Sequence, residues 1–152
     1  MKSLVLYCSL CTCSAGCLAQ SQLRIAEYAK GPVPADCALQ VHAAQTLIAR
    51  YPHPDSWTFV VICDEPSWKY AVNDVNPLFD ANQIYGVTLR RVKTTFLRGT
   101  KLLHSFPGQP SSVYIVAHEL AHIMLNSEDE ATVTQAAAKW MAERNDFDLL
   151  AK

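Results

Sequence analysis

Residues 118–122 read His-Glu-Leu-Ala-His, and no other feature of the chain restricts its fold so strongly. On an α-helix, two histidines four positions apart leave the same face about one turn from each other. There both imidazoles can donate to a single Zn²⁺, with Glu119 beside the metal to activate its water. The pattern is short, yet average residue usage gives an accidental match in a chain of this length only about once in a hundred or less. The flanks add to the signal. Ile115, Val116 and Ala117 precede the motif, Ile123, Met124 and Leu125 follow it, and Glu119 carries the only charge in the run. Such a helix is buried, and three polar groups on a buried helix need partners. A metal suits two histidines at this spacing; the plainer alternative is a pair of core histidines satisfied by hydrogen bonds.

The 152 residues suit one domain, half of them hydrophobic and 18% charged, with a formal net charge of −1. A near-neutral balance without a basic stripe argues against nucleic acid or an anionic membrane surface as partner. The N-terminus reads as a separate object. Met1-Lys2 leads into an apolar stretch over 4–13, small residues to Ala19, and then polar Gln20-Ser21-Gln22. This is the pattern of a secretory signal peptide over 1–19, too short and too weakly apolar to be a transmembrane span. Cleavage after Ala19 is the preferred reading. Lipid attachment at Cys17 is the rival, since Ser14-Ala15-Gly16-Cys17 partly matches a lipobox, and a buried N-terminal strand or helix is the third. The first two place the chain outside the cytoplasm, as a secreted or periplasmic protein or a lipoprotein. Four of the six cysteines fall within 1–19. The remaining Cys37 and Cys63 are expected to form one disulfide in an exported chain, or else to be two buried thiols.

Residues 20–35, with Gly31, Pro32 and Pro34, are expected as an extended leader, 36–145 as the folded domain and 146–152 as a frayed tail. Asp36 can open a helix to about Arg50 whose stripe Cys37, Val41, Ala44, Ile48 turns Cys37 inward and leaves His42 at the surface. Trp57 to Cys63 is a continuous run of β-formers, suited to a central strand covered on both faces. An antiparallel pairing of that helix with that strand would bring Cys37 to Cys63. Residues 64–82 read as loop with one helical turn, 83–89 as a second strand, and Thr94 to Leu103 as a hairpin turning at Arg98-Gly99. A helix capped by Ser111 or Ser112 carries the motif to Leu125, and Asn126 suits a left-handed stop. Ser127-Glu-Asp-Glu130 matches a capping box, so a second helix follows at once, with Val133, Ala137, Trp140, Met141 and Arg144 on one face. The expected class is α+β: a small mixed or antiparallel sheet packed against a helix and a C-terminal αα-hairpin.

A catalytic zinc site usually has three protein ligands plus water. His42, His53 and His104 have no spacing that recommends them, and the acids opening the second helix are the candidates. The first helix rises about 6 Å from His122 to Asn126 and the second returns about 4–5 Å by residue 130, with packed axes about 8–10 Å apart. Glu130 therefore stands nearly level with His122, in register with Val133, Ala137 and Met141. Glu128, at the very start, and the shorter Asp129 remain alternatives. In a capping box the Glu130 carboxylate would instead bond back to the Ser127 N–H, and one carboxylate does not easily do both.

His118-Glu119-Leu120-Ala121-His122, followed by Glu130-Ala131-Thr132-Val133-Thr134 on a second helix, resembles the gluzincin class of zinc metallopeptidases. The resemblance covers about 111–141. It implies a zincin-like domain over 36–145, Zn²⁺ held by His118, His122 and Glu130, and hydrolysis of a peptide or protein substrate, with Glu119 as the base acting on a zinc-bound water. It also implies that the strand before the motif helix, Thr94 to Leu97, is the sheet edge that pairs with an extended peptide. The chain departs from the class in the short interval between His122 and the acid. It departs again in having Thr132 or Thr134 where an Asp or Asn often supports a histidine. The competing functions are a non-catalytic exported domain of the same fold that binds a peptide or protein, and a structural or inhibitor-like module whose motif is incidental.

Overall fold

A computed structural model describes residues 23–104 and 108–146. The expected signal peptide over 1–19, and all of the tail except Asp146, lie outside the described residues. Four strands form one mixed sheet in the order β1 (Arg24–Tyr28), β2 (Thr58–Ile62), β4 (Thr94–Arg98), β3 (Gly86–Leu89). β1, β2 and β4 run parallel, and β3 joins β4 antiparallel as an outer strand. The chain is α+β, as its sequence implies. β1 lies within the stretch expected as an extended leader, so Arg24–Tyr28 of that stretch belong to the sheet.

The continuous apolar run of β2 is explained by its cover. Phe59 and Val61 point into a core shared with α1 (Cys37–Ile48), α3 (Ser112–Leu125) and α4 (Glu130–Glu143). Val60 and Ile62 point the other way, onto Trp68 and Val72 of α2 (Glu65–Val75). α2 corrects the expectation of loop over 64–82. Its start is well signalled: the Asp64 carboxylate accepts from the Ser67 N–H at 2.8 Å and the Ser67 hydroxyl at 2.7 Å, and a proline occupies the first turn.

The expected hairpin after Thr94 does not form. Gly99–Lys101 is a single 3-10 turn, because the chain dives against α1 and β2 there. A Cβ on Gly99 would lie 2.0 Å from Gln40 Oε1 and 2.9 Å from Val61 Cγ1. The partner of β4 is β3 instead, reached through Arg90–Val92 and a left-handed Lys93 (φ 49°). Cys37 and Cys63 form the expected disulfide, tying the first turn of α1 to the end of β2. Asp146, expected in a frayed tail, is fully buried and bonded to Arg50 and Tyr51. Among the described residues no helix is long and apolar enough to cross a membrane.

Candidate metal centre

α3 is capped by Ser111, whose side chain accepts from the Tyr114 N–H at 3.1 Å. Its buried face is Val113, Ile115–Ala117, Leu120 and Ala121, and this leaves His118 and His122 on the remaining face, partly exposed. Their rings stand edge to face, centroids 4.9 Å apart. Asn126 ends the helix in the left-handed conformation (φ 48°, ψ 42°), as its sequence implies. The N–H of Ser127 then returns to the carbonyl of His122 at 3.2 Å, and that of Asn126 to Ile123 at 3.2 Å, closing a Schellman turn.

The capping box does not form, and this removes the conflict over Glu130. Asp129 is the cap of α4, accepting from the Thr132 N–H at 3.0 Å and from its hydroxyl. These bonds hold the Asp129 carboxyl below the ordinary carboxylate range. Ser127 Oγ accepts from the Asp129 N–H instead. The Glu128 carboxylate pairs with Arg90. Of the three acids only Glu130, first residue of α4, turns back to the histidines: Oε2 is 3.1 Å from His118 Nε2 and Oε1 3.4 Å from His122 Nε2. Among the described residues these three form the one group of His, Cys, Asp or Glu whose ligand atoms all lie within 4.8 Å. His42 and His104 are exposed on other elements, and the Nδ1 of His53 faces its neighbour Tyr51.

The donor set fits a tetrahedral cation. With metal–ligand bonds of about 2.0–2.1 Å, neighbouring ligand atoms stand about 3.3 Å apart, close to the two separations between Glu130 and the histidines. The other edge of the His122 ring fixes its proton. His122 Nδ1 lies 2.8 Å from the Ser127 carbonyl, which can only accept, so the neutral ring carries its proton on Nδ1. Its Nε2 lone pair then faces a carboxylate oxygen, an arrangement of two acceptors that a proton or a cation must bridge. His118 Nδ1 lies 3.4 Å from the Tyr114 hydroxyl, itself 3.3 Å from Thr134 Oγ1. Burial lowers the pKa of His118, the His122 charge lowers it further, and Glu130 opposes both.

Glu119, the next residue around α3 from His118, points onto the sheet and is 6% exposed. Its Oε2 accepts from the Thr88 hydroxyl at 2.7 Å. A Cβ on Gly86 would stand 2.5 Å from Glu119 Cγ and Oε1, so the carboxylate fits against β3 because residue 86 has no side chain. Burial raises the Glu119 pKa to about 7, against the lowering effects of the Thr88 bond and of His122. Both histidines, Glu119 and Glu130 border one cleft of about 600 Å³, whose opposite wall is β3.

The position of β3 corrects the expectation that Thr94–Leu97 is the sheet edge, because that segment is interior, between β2 and β3. Arg98 N–H donates to the Tyr85 carbonyl, so the residues bonded to β4 are Tyr85, Val87 and Leu89. Gly86 and Thr88 send their main-chain N–H and C=O groups away from the sheet. Sequence reasoning missed both residues, since nothing in the strand pattern sets the register of β3 against α3. Tyr114 lines the cleft beside His118. No family model matches the chain, and no curated protein or solved structure is found to be similar to it.

Proposed function

We propose that this chain is a zinc metallopeptidase of the gluzincin type, acting outside the cytoplasm on peptides or on extended segments of proteins. The observation that carries this reading is the convergence of His118 Nε2, His122 Nε2 and Glu130 within ligand range of one another, with the His122 tautomer set to leave Nε2 open. Bound there, Zn²⁺ would supply Lewis-acid chemistry, polarising a carbonyl and making a water acidic near neutral pH. The protein's own groups supply the rest. Glu119, held on the cleft side of α3, is the base: it takes a proton from the attacking water as the new C–O bond forms. It returns that proton to the amine nitrogen as the C–N bond breaks, so the carboxylate ends the cycle unchanged. A substrate strand laid along β3 would find the free N–H and C=O groups of Gly86 and Thr88, which lie against the base. The Tyr114 hydroxyl stands 3.4 Å from His118 Nδ1.

The test is cleavage of a broad peptide library by zinc-loaded protein and by Glu119→Gln. Cleavage by the first, reduced at least 100-fold in the second with zinc retained, supports the reading. Equal cleavage by both, or cleavage by neither, overturns it, and zinc bound without any cleavage favours the non-catalytic peptide-binding alternative.

A further inference from the structure

A chain of three hydrogen bonds runs through the sheet and ends on Glu119. Trp57 Nε1 lies 3.0 Å from Thr95 Oγ1, Thr95 Oγ1 lies 2.8 Å from Thr88 Oγ1, and Thr88 Oγ1 lies 2.7 Å from Glu119 Oε2. The direction of every proton follows. The indole N–H can only donate, so Thr95 accepts from Trp57. An ionised Glu119 can only accept, so the single hydroxyl proton of Thr88 goes to it. Thr95 must then donate to Thr88, and all three protons point towards the carboxylate. Thr88 and Thr95 are directly opposed across the β3–β4 ladder, in the pair whose main-chain groups do not bond to each other. That is the closer of the two antiparallel spacings, and it brings the hydroxyls together. Thr95 is fully buried and Trp57 nearly so.

We infer that Thr88 and Thr95 are positioning residues for the base, an inference that rests on Glu119 being that base. The fixed indole removes the freedom of Thr95 to rotate its proton elsewhere, and Thr95 does the same for Thr88. Oε2 is thereby held by a charge-assisted bond, while Oε1 sits over the space left by Gly86. The carboxylate is thus fixed in one rotamer on the edge strand itself. Thr88 links two tasks, because its hydroxyl holds the base and its main chain faces the open edge. A base displaced by about 1 Å costs on the order of 100-fold in rate. Among the described residues no hydrogen bond joins either threonine to the histidines or Glu130, so the variants are expected to leave zinc affinity unchanged.

Thr88→Val removes the terminal hydroxyl at nearly constant shape; Thr88→Ser restores it; Thr95→Val breaks the chain one step back. High-resolution crystal structures of the metal-free proteins read the rotamer without any activity. Wild type and Thr88→Ser are expected to hold Glu119 in one conformer on the hydroxyl. Thr88→Val should show it displaced or in several. In the zinc-loaded proteins, Thr88→Val should lower kcat about 10–100-fold with KM within about threefold, Thr88→Ser should recover most of the loss, and zinc affinity should stay within about twofold. Thr95→Val should fall between the two. An unmoved, single Glu119 conformer in Thr88→Val overturns the inference even if the protein cleaves peptides. A moved carboxylate in a protein that cleaves nothing upholds the positioning and defeats the peptidase reading instead. Weakened zinc binding in Thr88→Val also overturns it, since the threonine would then support the helix rather than the base.

Discussion

The main-chain oxygen of Ser127 accepts from Nδ1 of His122 at 2.8 Å, and the left-handed Asn126 between them makes the contact possible. One turn thus ends the motif helix, orients one histidine of the candidate metal group and starts the helix that carries Glu130. The short connection therefore does not keep the Glu130 carboxylate from the two histidines.

Asn126→Val tests this turn. A β-branched residue in the left-handed region costs about 1–2 kcal/mol, and losing the Ser127 carbonyl from His122 should weaken zinc binding about 10–100-fold. Asn126→Gly, which adopts the same conformation freely, should stay within about threefold of wild type. Chelator competition gives the affinities and thermal melting gives the stabilities.

The two glutamates should separate cleanly. Glu130→Gln is expected to lose zinc affinity by at least about 100-fold, since it removes a charged ligand. Glu128→Gln loses only a solvent-exposed pair with Arg90 and should change affinity by less than about threefold. The reverse order in a titration calorimeter would move the third ligand to Glu128.

Much of this centre is legible in the sequence, and the parts that are not have separate causes. The motif helix, its Asn126 stop, the Cys37–Cys63 pairing and Glu130 all follow from spacings within a few residues or from compartment chemistry. The Ser127 box was misleading because Asp129 competes for the same cap, and Thr132 decides the contest by donating both its N–H and its hydroxyl to it. α2 was hidden by Asn73, Asn76 and Pro77 near its end, although Trp68 and Val72 carry the helical spacing and the two-faced β2 run requires a cover. Gly86, Thr88 and Thr95 depend on strand register across the sheet, which local pattern does not encode.

Stability of the metal-free protein should depend on pH through Glu119. Its folded pKa of about 7 lies above the ordinary value of 4.5, so the folded state holds the proton more tightly. The stabilising effect is present in full below the ordinary pKa and is lost as pH rises through about 7. Urea melts of wild type and Glu119→Gln, both with chelator, isolate this contribution. The glutamine variant should gain on wild type between pH 5 and pH 8, by up to about 3 kcal/mol. A constant difference across that range would contradict the burial argument.

The disulfide should matter more to stability than to the metal. Cys37 and Cys63 are 26 residues apart, a loop whose closure contributes about 3–4 kcal/mol. The double serine variant should lose about that much in denaturant melts while its zinc affinity at low temperature stays within about threefold.

Anomalous diffraction at the zinc edge, from crystals grown with stoichiometric zinc, tests the centre most directly. The account predicts one peak within about 2.0–2.2 Å of His118 Nε2, His122 Nε2 and a Glu130 oxygen, with the Glu119 carboxylate nearby but not a ligand. No peak between α3 and α4, or a peak held by a different set of side chains, would contradict it.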